Sequence, residues 1–275
     1  MKVAVTGATG LVGQFIVAGL LDNGHDVVAL GRAPSSHGGS HRPWRLGETA
    51  PLQDCEALVH AAFAHVPGRY RGGEGEDPDG FLRANLEGTL RLFKEARGRR
   101  IVFLSSRAVY DGLPAGTPLT EDLPLSPDSL YGQVKLQAEG ALARLGGGVS
   151  LRATGVYGPP APGQRHKWAD LFDAFARGEA IAPACGTEVH GADLAQAVAL
   201  LLGAPAGAYN CSDLLLDRRA LLERWSLLAG AKGVLPAASG KAPNVMDCTR
   251  LRVLGWKPRG EAALDDALRT MARAV

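Results

Sequence analysis

The chain has 275 residues, with 30 Lys plus Arg against 28 Asp plus Glu for a formal net charge of +2, and 46% hydrophobic against 21% charged residues. That length allows one large domain or two modest ones, the balanced charge argues against a nucleic-acid or membrane-surface partner, and the composition excludes disorder as the dominant state. Glycine is the outlier: 36 residues, nearly twice the usual share of about 7%, without the period of collagen.

Residues 2–6 (KVAVT) read as a strand, followed by a glycine-punctuated turn and a helix over 11–22 that Asn23-Gly24 ends. Residues 26–30 (DVVAL) supply a second strand, and Trp44-Arg45-Leu46 is the candidate for a third, with Glu48 near its end. Strands follow at 57–60 (ALVH) and 101–104 (IVFL), separated by a helix over 79–97 that carries Leu82, Leu86, Leu90 and Phe93 on one face. A helix over about 128–145 precedes a strand at 149–152. Strands apolar along their whole length and separated by helices imply a parallel sheet covered on both faces, hence an α/β, doubly wound (Rossmann) architecture. Beyond Tyr157 a Pro/Gly loop leads to a helix with Trp168, Leu171, Phe172 and Phe175 on one face. Residues 193–202 and 207–211 read as helix then strand that rejoin the sheet, and 213–275 is mostly helical with a break at Leu254-Gly255-Trp256. The expected division is a dinucleotide-binding domain of 1–156 plus about 190–212, and a smaller, mostly helical substrate lobe of about 157–189 plus 213–275.

Cys55, Cys185, Cys211 and Cys248 lie far apart with no C-x-x-C pair, which argues against a zinc site or a redox dithiol. The chain goes straight into a strand pattern and has no apolar run of membrane-spanning length, so a cytoplasmic protein without a signal peptide is expected.

The glycines concentrate meaningfully in Thr6-Gly7-Ala8-Thr9-Gly10-Leu11-Val12-Gly13, between the first strand and the first helix. There Gly7 permits a tight turn, Gly10 lets a pyrophosphate approach the backbone, Gly13 lets helix and strand pack closely, and the helix N-terminus holds phosphates. The second strand ends Leu30-Gly31-Arg32, where an acidic residue would take the ribose hydroxyls of NAD; an arginine instead suits a 2′-phosphate, so NADP(H) is favoured over NAD(H). Tyr131 and Lys135 stand four apart on one helix face, and a cation beside a phenol favours its phenolate. Ser105 and Ser106 follow the strand 101–104, where a hydroxyl at a strand's carboxyl end points into the ligand crevice. Phenol, ammonium, serine and nicotinamide together make a hydride-transfer site.

These motifs, with His60-Ala61-Ala62, Asn85-Leu-Glu-Gly88-Thr89, Val156-Tyr157-Gly158-Pro159, Val189-His190-Gly-Ala-Asp193, Tyr209-Asn210 and LGWKP, run in order along nearly the whole chain. They resemble the extended short-chain dehydrogenase/reductase family, also called the NAD-dependent epimerase/dehydratase family. The resemblance implies Ser106, Tyr131 and Lys135 as the catalytic triad. It implies cofactor contacts from Gly7, Thr9, Gly10, Leu11, Val12, Gly13, Arg32, His60, Ala61, Ala62, Lys135 and the Val156 backbone, with Asn85 supporting the proton path. It also implies a homodimer formed through two long helices.

The departures narrow the reaction. Arg107 and Ala108 stand where sugar dehydratases of the family carry an acidic pair, which disfavours dehydration. Cys185-Gly186-Thr187-Glu188-Val189 lacks the arginine that nucleotide-sugar enzymes often place there. Two segments are candidates for substrate contact: residues 63–80, with His65, Arg69, Tyr70 and Arg71, and Arg165-His166-Lys167; Arg107 joins them. The expected activity is NAD(P)-dependent interconversion of a secondary alcohol and a ketone on a small polar, sugar-like or acidic substrate. The alternatives are a sugar or nucleotide-sugar epimerase, and a non-catalytic dinucleotide-binding regulator, although such regulators typically lose the tyrosine or lysine that this chain keeps.

Overall fold

The computed structural model describes residues 1–65, 73–241 and 243–273. Lys2–Thr6 forms β1 and, after the glycine turn, Leu11–Asp22 forms α1, which ends at Asn23 and the left-handed Gly24. Asp26–Gly31 (β2), Ser40–Pro43 (β3) and Ala57–His60 (β4) follow. Pro78–Leu82 (α2) starts on Asp77, whose carboxylate accepts from Gly80 N, with Pro78 at a position that needs no donor. A π-helical turn over Arg83–Glu87 leads into Gly88–Glu95 (α3). Arg100–Ser106 (β5), a short 3₁₀ turn at Arg107–Tyr110, Leu130–Leu145 (α4) and Gly148–Ala153 (β6) complete the central run.

Gly155–Tyr157 (β7), Ala169–Ala176 (α5) and Cys185–His190 (β8) come next. Gly191–Leu201 (α6), Gly207–Cys211 (β9), Leu214–Asp217 (β10), Arg218–Ala229 (α7), Thr249–Val253 (α8) and Glu261–Ala272 (α9) close the chain.

Seven strands pair in the order β3-β2-β1-β4-β5-β6-β9, all parallel. Successive residues of β1 point to opposite faces: Val3 and Val5 pack with Ile16, Val17 and Leu20 of α1 and with Leu194 and Val198 of α6. Ala4 packs on the other face with Leu92 and Phe93 of α3 and Ala138 and Leu142 of α4. Helices on both faces bury the central strands β1, β2, β4, β5 and β6 twice, which is why most of them read as continuous apolar runs, whereas the edge strand β3 stays largely exposed. The sheet reverses direction of growth between β1 and β4, and Thr6 opposite His60 marks the carboxyl ends that border the crevice there.

A second sheet, β10-β8-β7, joins Tyr157 to a separate aromatic cluster formed with α5, α7 and α9. Phe172 stacks on Trp225 with ring centroids 4.1 Å apart, and Tyr157 stacks on Trp168 at 5.1 Å. Each such pair adds about 0.5–1.5 kcal/mol to the burial of its rings. Among the described residues no helix is long and apolar enough to cross a membrane.

Several sequence expectations shift. The third strand is 40–43, not 44–46: Trp44 leaves the strand end and is buried, its indole N–H donating to Glu48 O at 3.1 Å. The helix expected over 79–97 is broken by the π turn, whose extra residue rotates the face that follows. Phe81, Asn85, Thr89, Leu92 and Phe93 are buried, while Leu82, Leu86 and Leu90 are only half-buried. β7, β8 and β10 carry no strong apolar alternation and were invisible to it, and residues 230–241 and 243–248 form no helix.

Candidate active site

The turn between β1 and α1 is shaped first by the protein's own packing. Gly7 has φ +71°, and a Cβ there would lie 2.7 Å from Ala62 N; a Cβ on Gly13 would lie 2.0 Å from Gly7 O. Gly10 is different: a side chain there would meet nothing nearer than Gly7 O at 3.4 Å. Gly10 also caps α1 with extended backbone and no side-chain cap, and the first turn carries no acidic residue. A helix N-terminus without a side-chain cap or an acidic first turn, on a turn where a Cβ at Gly10 would meet nothing closer than an ordinary contact, fits a dinucleotide pyrophosphate.

Thr6 Oγ1 accepts from Ala61 N and Ala62 N, both at 3.1 Å, fixing the strand end opposite the glycine turn. His60 is committed to the interior rather than to the crevice. Its Nδ1 meets Thr6 Oγ1 at 2.7 Å and its Nε2 meets Thr89 Oγ1 at 2.9 Å, and burial, then the nearby Lys135 charge, pushes its pKa down to about 3. The backbone of Ala61 and Ala62 borders the turn at Gly7. Asn85 is buried in the π turn, where its amide accepts from Ala64 N and donates to Ala64 O, each at 2.7 Å, and donates to Phe81 O. It thereby fixes the chain just past β4. Arg32 is exposed at the end of β2, and Thr9 O accepts from Gln164 of the loop after β7 at 2.8 Å. Val156 is half-buried on β7 opposite Val189 of β8.

Tyr131 and Lys135 lie one turn apart at the start of α4, with Lys135 Nζ 5.8 Å from the Tyr131 ring centroid. The helix can begin so near the end of β5 because residue 132 is glycine: a Cβ there would stand 2.6 Å from Ala108 O. Lys135 is buried; its ammonium donates to Leu104 O at 2.7 Å and lies over the rings of Phe63 (4.5 Å) and Phe103 (4.8 Å). Burial pulls its pKa down to about 7, opposed by the carboxylate of Glu139. Ser106, half-buried at the end of β5, accepts from Ala108 N at 3.1 Å.

The substrate candidates are less concentrated. Arg69, Tyr70 and Arg71 lie outside the described residues. Arg107 donates to Asn244 O at 2.9 Å and faces Asp111 at 3.9 Å. Arg165 is exposed and paired with Asp170 and Asp173. His166 packs against Phe172 and Trp225, and Lys167 is paired with Glu188. The cation absent from 185–189 is therefore present beside it, but neutralised by Glu188.

Sequence reasoning missed two features. Phe63 packs edge-on to Tyr131 at 5.1 Å and covers Lys135, and nothing in a loop sequence signals that position. A buried network of Ser105, Glu139, Arg152, Tyr110 and Asn210 runs under the site. It had a signal: a glutamate one turn past Lys135, and an arginine inside an otherwise apolar strand.

The sequence profile of the NAD dependent epimerase/dehydratase family matches residues 3–212. A UDP-glucose 4-epimerase of Bacillus subtilis (strain 168) is 34% identical over 166 residues, 53% of this chain and 48% of that protein. The dTDP-6-deoxy-L-talose 4-dehydrogenase (NAD(P)(+)) of Kitasatospora kifunensis is 31% identical over 173 residues, 59% of this chain and 54% of that protein. The chain thus spans about half the length of the curated relatives it matches. Among solved structures, MoeE5 in complex with UDP-glucose and NAD is 26% identical with a TM-score of 0.79 over 99% of this chain and 98% of that one. The Thermus thermophilus UDP-glucose 4-epimerase in complex with NAD shares the fold, with a TM-score of 0.82 and 24% identity over all of both chains.

Proposed function

The chain belongs to the NAD-dependent epimerase/dehydratase family, and from that premise we propose that it is an NAD(P)-dependent epimerase acting at a secondary hydroxyl of a nucleotide-linked sugar. The observation that carries this reading is the placement of Tyr131 and Lys135 on one helix face near the strand end that bears Ser106. The UDP-glucose 4-epimerases among its relatives favour epimerisation over net oxidation.

In this scheme Tyr131 takes the proton from the sugar hydroxyl and later returns it, so the enzyme ends each cycle unchanged. Lys135, in its protonated form, sets an ammonium beside the phenol, which favours the phenolate. Ser106 Oγ donates to the same substrate oxygen and holds it as carbonyl character develops. A bound nicotinamide dinucleotide would supply the reversible hydride acceptance at the sugar carbon that epimerisation needs. Gly7, Thr9, Gly10, Leu11, Val12, Gly13, Ala61, Ala62, Lys135 and the Val156 backbone are the groups we assign to hold it. Arg32 is assigned to the adenosine 2′-phosphate, which makes NADP(H) the favoured cofactor over the NAD described for the structural neighbours.

Incubation with UDP-glucose and catalytic NAD or NADP tests the reading. It expects the 4-epimer to form while nicotinamide absorbance returns to its starting level; stoichiometric reduction with no epimer would overturn it. That second outcome defines the other reading, a nucleotide-sugar dehydrogenase, which the Kitasatospora relative supports. We further assign the half-buried stripe of Leu86, Leu90 and Leu136 to a homodimer face. With Gln137, Gly140 and Arg144 it lines a shallow groove of about 400 Å³ between α3 and α4.

A further inference from the structure

Glu139 lies one turn beyond Lys135 on the same helix and is buried, with a partner on each of two strands. Its carboxylate accepts the hydroxyl of Ser105, the residue before Ser106 on β5. It also accepts from Arg152 of β6, through Nε at 3.1 Å to both oxygens and through Nη2 at 2.7 Å. Arg152 in turn donates to the Tyr110 hydroxyl at 2.8 Å and to Glu121 O, and Tyr110 donates to Asn210 Oδ1 at 2.8 Å. Lys135 donates to Leu104 O, so two successive helical turns of α4 are pinned to two successive residues of β5.

We propose that Glu139 is a positioning residue for Tyr131 and Lys135, clamping their helix to the strand that ends in Ser106 and supplying the carboxylate that faces the buried ammonium. The proposal rests on the catalytic reading of that pair. The groups facing Lys135 are Tyr131 and Glu139 on its own helix, His60 on β4, and Phe103 and the Leu104 carbonyl on β5, with Phe63 covering it. His60 is neutral in its paired, buried setting, so Glu139 is the counter-charge among them. Arg152 grips that carboxylate through Nε and Nη2, and this bidentate fork fixes the carboxylate plane. An apolar residue at 139 would strand Arg152 and the Ser105 hydroxyl and leave the ammonium alone in a low-dielectric site.

The test titrates Lys135 directly, by carbon-13 NMR of the lysine Cε in protein labelled at that atom, with the signal assigned by its loss in Lys135→Met. Turnover of UDP-glucose is measured alongside. In Glu139→Gln the Lys135 titration is expected to move to lower pH. Its kcat is expected to fall about 100-fold with KM within about twofold, as displacement of a reacting group predicts. Glu139→Asp, which keeps the charge but shortens the reach, should retain the titration while losing part of kcat. Ser105→Ala should likewise lower kcat without moving the titration. Because Glu139→Gln leaves Arg152 buried and unpaired, Glu139→Gln with Arg152→Met is made in parallel as the folding control; loss of the Arg152 charge offsets part of the loss of the carboxylate, so it is expected to shift the titration in the same direction by less. An unchanged Lys135 titration in folded Glu139→Gln overturns the proposal, even if stability falls. Absence of UDP-glucose turnover in the wild type would strike the proposed substrate and leave the titration to decide on Glu139.

Discussion

Replacing Lys135 with methionine is expected to make the protein more stable and less active. Lys135 is 4% exposed, and burial lowers its pKa from the ordinary 10.5 to about 7, with Glu139 opposing. A gap of that size between the folded and unfolded chain corresponds to about 5 kcal/mol, at roughly 1.36 kcal/mol per unit. Methionine removes that cost but leaves the Leu104 carbonyl without its donor, which costs about 1–3 kcal/mol. The net gain at neutral pH is therefore about 2–4 kcal/mol, or a rise in Tm of roughly 4–10 °C for a chain of this size. The sign with pH follows from the depressed value. Below about 7 both states hold the proton and the full cost applies. Between about 7 and 10.5 the unfolded chain binds a proton that the folded chain has released, so wild-type stability rises with pH through that window. The advantage of Lys135→Met should thus be greatest below pH 7 and shrink toward 10.5. Urea denaturation across a pH series, with turnover measured on the same preparations, checks both halves. A variant less stable than wild type at neutral pH, or a stability difference that does not decline with pH, would refute the reasoning.

Tyr131→Phe should lower turnover by about 10²–10⁴-fold with little change in Tm, because the phenol is the proposed proton carrier; retained activity in a steady-state assay would count against it. Gly132→Ala should destabilise by about 1–3 kcal/mol even though alanine is the better helix former. The added Cβ has no room against Ala108 O, at 2.6 Å, or Pro127 Cβ, at 2.7 Å, and denaturant melts read the sign. Arg32→Ala should weaken NADPH about tenfold, the worth of a charge-assisted bond, and NADH less than about twofold; equal losses in a fluorescence titration would remove the 2′-phosphate assignment. Leu90→Arg should yield a monomer by sedimentation if the groove between α3 and α4 is the dimer face.

The architecture was legible because its signals are local and repeated. Strands such as Val3–Val5 and Ile101–Leu104 are buried on both faces, so they are apolar throughout, and a glycine turn between strand and helix announces itself by φ requirements and close approach. The Tyr131–Lys135 spacing is likewise a property of one helix. β7, β8 and β10 were not legible, because short strands packed by a neighbouring lobe need no alternation of their own. The buried face of the helix expected over 79–97 was misjudged because a π turn changes the angular register, and no residue type encodes such a turn by itself.

By itself, then, the sequence determined the parallel sheet, the glycine turn, and the pairing of a phenol with an ammonium one turn apart. Only the tertiary structure decided what surrounds them. It turned His60 inward onto Thr6 and Thr89, spent Lys167 on Glu188, laid Phe63 over Lys135, and brought Glu139 of α4 against Ser105 of β5 and Arg152 of β6. The physical reason is that a side chain's charge state and reach depend on burial and on partners tens of residues away. Periodicity records which face of an element is apolar, and it carries no record of which distant polar group that face will meet.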